Sequence, residues 1–179
     1  SLPDDDNHIL VMHNQRDKRI FDVYRIHIKP GEGELAAQNP GNITNWNTDH
    51  DGKIRAATSS DGVNTSLYYR ETEADEFKPI LTTNFRESVA PVGWTADSKL
   101  MYVASNRGRD KAALFEFDPK AAKEGKLIYE NANVDVDSLG WSRARKTITG
   151  TIVNFEKATP VFFDAESERI HKALKAKLP

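Results

Sequence analysis

Short stretches in which apolar residues run together or alternate with polar ones recur along the whole chain. Residues 9–12 are an apolar run and residues 23–28 alternate. Residues 54–57, 67–69, 100–104, 114–117, 147–151 and 161–163 repeat the theme. Pro30-Gly31, Pro40-Gly41, Asp51-Gly52 and Asp61-Gly62 stand between them, so the pattern predicts strands joined by tight turns. From about Ala165 to Leu178 the spacing changes. Ile170, Leu174 and Leu178 recur every four residues with Arg169, Lys172, Lys175 and Lys177 opposite, which predicts a short helix with cations near its C-terminus. Its two readings are a docking helix and a short connector packed between sheets.

The strand pattern is periodic. Trp46, Trp94 and Trp141 stand 48 and 47 positions apart, and each leads into a polar turn and then a strand. Leu67, Leu114 and Val161 open a second strand at spacings of 47. A repeat in the forties built from short strands points to propeller blades of four antiparallel strands. The fold class is therefore all-β: a propeller segment of about three to four blades with a short C-terminal helix. Approximate blade boundaries are residues 1–40 (partial, without a tryptophan), 41–86, 87–133 and 134–179. A β-sandwich of regular hairpins is the alternative. One large flat side chain per blade fits packing against a neighbouring sheet better than ligand stacking.

Composition narrows the functional classes. With 25 Lys and Arg against 27 Asp and Glu, the net charge is −2, which gives no electrostatic reason to expect nucleic acid or an anionic membrane as a partner. No apolar run approaches the roughly 20 residues of a membrane span. The polar start, Ser1-Leu2-Pro3-Asp4-Asp5-Asp6, carries no signal peptide and reads as the start of a processed or excised segment. The compartment, cytoplasmic or periplasmic, is not written in the sequence. The chain has no cysteine, so disulfides and thiolate metal sites are excluded.

Candidate chemistry is sparse. Asn47, Asp49 and Asp51 before Gly52 imitate the first half of a calcium loop, but Thr58 stands where the bidentate glutamate belongs, and a hairpin turn explains them better. His8, His13, His27, His50 and His171 show no zinc spacing. Asp135 and Asp137 alternate with Val134 and Val136, predicting one strand with a polar face. Asn42-Ile43-Thr44 and Asn64-Thr65-Ser66 are glycosylation sequons in form only. No metal or cofactor is implied.

Residues 94–110, from Trp94-Thr95-Ala96-Asp97-Ser98-Lys99 through the apolar strand to Ser105-Asn106-Arg107-Gly108-Arg109-Asp110, resemble a propeller blade of the prolyl oligopeptidase family of serine peptidases. The likeness is to its dipeptidyl- and acylaminoacyl-peptidase branch. Residues 1–5, 39–43, 49–55 and 173–179 are similar to the same branch, and TolB-type propellers share the blade motif. The resemblance implies a non-catalytic propeller whose partner is a C-terminal α/β-hydrolase domain of the same parent chain, with peptides as the parent's substrates. The family's catalytic serine, aspartate and histidine belong to that hydrolase. This chain has no G-x-S-x-G elbow, so no catalytic, cofactor or metal residue is assigned. The propeller would restrict access to short peptides, leaving a TolB- or WD-like protein-binding scaffold as the alternative. Arg86, Glu87, Arg107 and Arg109 fall in turn-like segments and are the charged groups to inspect for substrate contact; arginines there also brace neighbouring loops.

Overall fold

The structure is a computed structural model that describes Leu2 and residues 5–178. Its strands are β1 (His8–Asp17), β2 (Ile20–His27), β3 (Gly33–Ala37), β4 (Ile43–Thr48), β5 (Ile54–Ser60), β6 (Asn64–Tyr69) and β7 (Lys78–Asn84). There follow β8 (Val89–Trp94), β9 (Met101–Ser105), β10 (Ala113–Asp118), β11 (Lys123–Tyr129), β12 (Gly140–Ser142), β13 (Thr147–Asn154), β14 (Ala158–Phe162) and the helix α1 (Ala165–Lys175). They form four antiparallel sheets, each a meander of sequence neighbours: β1-β2-β3, β4-β5-β6-β7, β8-β9-β10-β11 and β12-β13-β14. The two middle sheets have four strands and the outer two have three. The chain divides into two compact units, one up to Thr82 and one from Thr83.

In each sheet that opens on a tryptophan strand, the first hairpin turns the same way. Asp49, Thr95 and Ser142 each supply a side-chain oxygen that accepts backbone N–H groups from the turn: Lys53 N–H at 3.0 Å, Leu100 N–H at 3.1 Å and Arg145 N–H at 3.3 Å. Three or four residues on, Gly52, Ser98 and Lys146 sit in the left-handed region, at φ of 76°, 53° and 51°. Glycine enters that region without a Cβ clash, whereas serine and lysine do not. The Asp-Gly-Lys turn is thus the unstrained version of a turn that the later repeats keep without the glycine.

The first unit packs Val23, Ala37 and Ile54 with Leu10, Ala36, Trp46 and Phe77; the Trp46 and Phe77 rings meet edge-on at 5.5 Å. Beside this core lies a fully buried carboxylate. Asp22 on β2 receives two bonds from the Arg16 guanidinium, at 2.7 and 2.9 Å, and the Asn39 N–H at 2.7 Å. Arg16 also reaches the Asn39 carbonyl. The Asn39 side chain then pins the entry to β4 through Ile43 N–H and Ile43 C=O. A buried carboxylate is tolerable when its oxygens are matched by a guanidinium fork. The Arg16 hydrogen bonds hold the Asp22 carboxyl below its usual range. A second network joins buried Arg55 to Asp49 and to the Tyr69 hydroxyl, which donates to Glu71 at 2.5 Å. Burial, then the Glu71 bond, push the Tyr69 phenol up to about 12.

The second unit packs Ala104, Leu114 and Val136 with Val92, Ile128, Tyr129, Leu139 and Phe163. Trp94, Met101, Val103 and Phe117 are also buried on the β8–β11 sheet. Residues 134–137 depart from the expectation of a strand. Asp135 accepts the Ala112 N–H at 2.7 Å and the Val136 N–H donates to the Ala112 carbonyl, so the segment is clamped at one residue instead of along a ladder. The alternation survives, with Val136 buried and both aspartates exposed.

Helix α1 forms where the fourfold spacing predicts it. Its N-cap, Asp164, accepts the Ser167 N–H at 2.9 Å and pairs with Arg145, whose hydrogen bond draws the carboxyl well below the usual range. The helix is not packed between sheets, as the connector reading requires. It has no buried residue, its attachments at Arg145 and Phe162 engage its first two turns, and Ile170, Leu174 and Leu178 face solvent. Strand β14, at the edge of its sheet, contains Pro160.

Three outcomes follow. Asp22→Asn weakens the guanidinium clamp and should lower stability by about 2 kcal/mol at neutral pH. Because the native carboxyl is depressed below 3.8, its contribution is present above that pH and lost as pH falls toward the native value. The gap between wild type and variant in urea melts should therefore close below about pH 4. Lys146→Gly relieves the left-handed turn and should raise stability by roughly 0.5–1 kcal/mol in the same assay. Gly150→Ala should cost about 2 kcal/mol or more, since a Cβ there would lie 2.2 Å from the Val161 carbonyl oxygen, and backbone must shift to admit it.

Candidate functional site

The four charged residues read from the sequence meet at one end of the second unit. Asn106, just after β9, organises them. Its Nδ2 donates to the Arg86 carbonyl at 3.0 Å, its Oδ1 accepts the Ser88 N–H at 2.6 Å, and its own N–H donates to the Ser88 carbonyl. Across the same gap Glu87 accepts the Gly108 N–H at 3.1 Å. Asn84 closes the other side of the loop, taking the Arg86 N–H on its side chain and the Glu87 N–H on its carbonyl. The segment 84–88 is therefore held by its backbone, and its side chains are left to project.

The arginines differ in their commitments. Arg107 lies 3.9 Å from Glu124, a carboxylate that also accepts the buried Ser105 hydroxyl. Arg109 donates to Glu130 at 3.2 Å and lies over the Phe115 ring, 4.5 Å from its centroid. Both brace the sheet's edge. Among the described residues Arg86 has only the ring of Phe85, 5.4 Å from its guanidinium carbon, and Phe85 is 75% exposed. The arrangement offers positive charge and aromatic surface, which bind and orient. The sequence identified the four charged groups from their turn-like context but not Asn106 or Phe85. The signal for Asn106 was its place at the end of an apolar strand, where an amide side chain can bond two backbones.

The other candidates are scattered or already engaged. Asp49 is occupied by two backbone N–H groups and Arg55, as befits a turn. His8 faces His27 across β1 and β2 at 4.8 Å, with its Nδ1 on the Asp5 carboxylate; this hydrogen bond lowers the Asp5 pKa. His13 meets Tyr24 and His171 meets Phe162. Among the described residues, no group of three or more histidine or carboxylate side chains is placed to hold a metal ion. An apolar groove of about 360 Å³ lies on the last sheet, lined by Leu139, Gly150, Ile152, Pro160 and Phe162 and bordered by Ser167 of α1.

No family model matches the chain. It is 33% identical over 136 residues to dipeptidyl aminopeptidase BIII of Pseudoxanthomonas mexicana, an alignment covering 72% of this chain and 19% of that protein. The chain thus spans about a fifth of the relative's length. Among solved structures, TolB from Acinetobacter baumannii superposes with a TM-score of 0.61 at 16% identity, over 87% of this chain and 37% of that one. A structure from a study of two prolyl endopeptidases gives 0.51 at 14% identity, over 78% of this chain and 21% of that one. At such identities the structural likenesses speak for the fold. Four antiparallel sheets in sequence, the propeller likeness and the sequence match together make the chain a β-propeller segment of the prolyl oligopeptidase-like peptidases, on their dipeptidyl aminopeptidase side.

Proposed function

We propose that this segment is the non-catalytic, access-restricting part of a serine peptidase that acts on short peptides. The observation that carries the reading is the sequence match to a dipeptidyl aminopeptidase across most of a chain made of strands and turns. In α/β-hydrolases the nucleophile is held on a sharp strand-to-helix turn with the sequence G-x-S-x-G, which does not occur in this sequence, and within each sheet the strands pair antiparallel with their sequence neighbours. Chemistry then falls to an α/β-hydrolase domain of the same polypeptide. A ring of rigid sheets acts on such an enzyme by geometry. It admits extended peptides and excludes folded proteins, whose width exceeds the opening. Loops such as 84–88, fixed by Asn106 and Asn84, suit a rim that keeps its shape as substrate passes.

A second reading is a protein-binding scaffold. The superposition on TolB supports it, since that likeness covers more of the chain, and at a higher TM-score, than the peptidase structure does.

The test compares three polypeptides: this chain, the same chain extended through the hydrolase domain, and that hydrolase domain without the propeller. Each is given a chromogenic dipeptide amide and a folded protein. The chain alone should cleave neither, the extended enzyme only the dipeptide amide, and the hydrolase alone should gain access to the folded protein. An extended polypeptide that hydrolyses no peptide would remove the peptidase reading. One that cuts folded and short substrates equally fast would remove the gate.

A further inference from the structure

The rim loop at 84–88 has a backbone held by hydrogen bonds at Asn84, Arg86, Glu87 and Ser88, and two large side chains that take no part in them. Asn84 and Asn106 fix Arg86, Glu87 and Ser88 through main-chain hydrogen bonds on both flanks, and Glu87 ties the loop to Gly108. Surface loops commonly lose freedom when they bind, and a loop already held has little left to lose. Phe85 nevertheless stands 75% exposed, with Arg86 beside its ring. Such an apolar ring exposed on an ordered loop contributes nothing to the core.

The charge pattern points the same way. Arg107 and Arg109 are matched by Glu124 and Glu130. Among the described residues Arg86 forms no ion pair, so its guanidinium fork is open to a planar acceptor. The same end of the unit carries a second exposed ring. Contacts can be followed from Asn106 along its loop to Ala112, from Ala112 to Asp135 and Val136, and from Ser138 to Ile152 near the end of β13. The β13–β14 hairpin beyond it presents Phe155 at 70% exposure. Arginine and aromatic side chains are the types that anchor polypeptide interfaces, and a guanidinium stacked on a ring keeps its fork edge outward.

We propose that the Phe85–Arg86 tip is a binding site for an extended polypeptide that carries a carboxylate next to an apolar or aromatic side chain. The carboxylate takes the Arg86 fork and the neighbouring side chain covers Phe85. The site stands apart from the gating reading and requires no hydrolase domain.

The test is an NMR titration of the whole 179-residue chain with two capped pentapeptides, acetyl-Ala-Glu-Phe-Glu-Ala-amide and its counterpart with both Glu replaced by Gln. The acidic peptide should shift amides of residues 84–88 and 106–109 saturably. The Gln peptide should bind about three- to fivefold more weakly, the range expected for one exposed charge pair. Arg86→Gln should erase the difference between the peptides, Phe85→Ser should weaken both, and Arg107→Gln should leave the preference intact. An otherwise unchanged spectrum shows that each variant is folded. Equal response to the two peptides, absence of any response at the loop, or a preference for Glu that persists in Arg86→Gln would overturn the site.

Discussion

Every tryptophan strand here must reverse into its partner within a few residues, and the backbone does so by entering the left-handed region at Gly52, Ser98 and Lys146. The rest of each sheet depends on that reversal. In a strand, a slip of one residue moves each side chain to the opposite face. Strand β9 is buried on both faces, so if the turn after Trp94 changed length, Met101 and Val103 would exchange faces with Tyr102 and Ala104 and neither side of the sheet would keep its packing. The acceptor at the head of the turn, whether Asp49, Thr95 or Ser142, makes the reversal reproducible by satisfying N–H groups that the ladder cannot reach. Three different side chains perform the same task because the task needs only an oxygen on a short stem.

Charge is used in two ways. Inside the first unit, Asp22 and Arg16 are matched so closely that a carboxylate can be fully buried, and through Asn39 the pair ties β2 to the start of β4. On the rim of the second unit, Arg107 and Arg109 are matched more loosely and at the surface, where ion pairs contribute little stability and serve mainly to fix position. The buried pair thus fixes strand positions inside the first unit, and the surface pairs fix loop positions at one end of the second.

The inner strands were legible because their burial is written as apolar runs: residues 54–57, 101–104 and 114–117 all lie in strands. The outer strands β7 and β11 left almost no trace. Lys78–Asn84 and Lys123–Tyr129 are largely exposed, so solvent asks little of their composition and the alternation fades. Residues 134–137 misled in the opposite direction, since one buried valine between aspartates reads as a strand although a single clamp to Ala112 produces it. The helix was readable, but its surroundings were not: periodicity shows that α1 has an apolar stripe without showing what lies against it. At the candidate site the charged residues could be found by type and context. Their division into paired and unpaired groups depends on Glu124 and Glu130, some twenty residues distant in sequence, and emerges only when the sheet is assembled.

Strand β14 ends its sheet with Pro160 in an edge position. A proline within a strand settles where the missing N–H faces away from the ladder, so the outward row of donors is interrupted there. A second chain laid along this edge would find a gap where continuous pairing requires a donor. The apolar groove beside it, with Ile152 half exposed, would otherwise favour sideways association. The missing donor at Pro160 thus breaks the continuous ladder that fibrous growth along this margin would require.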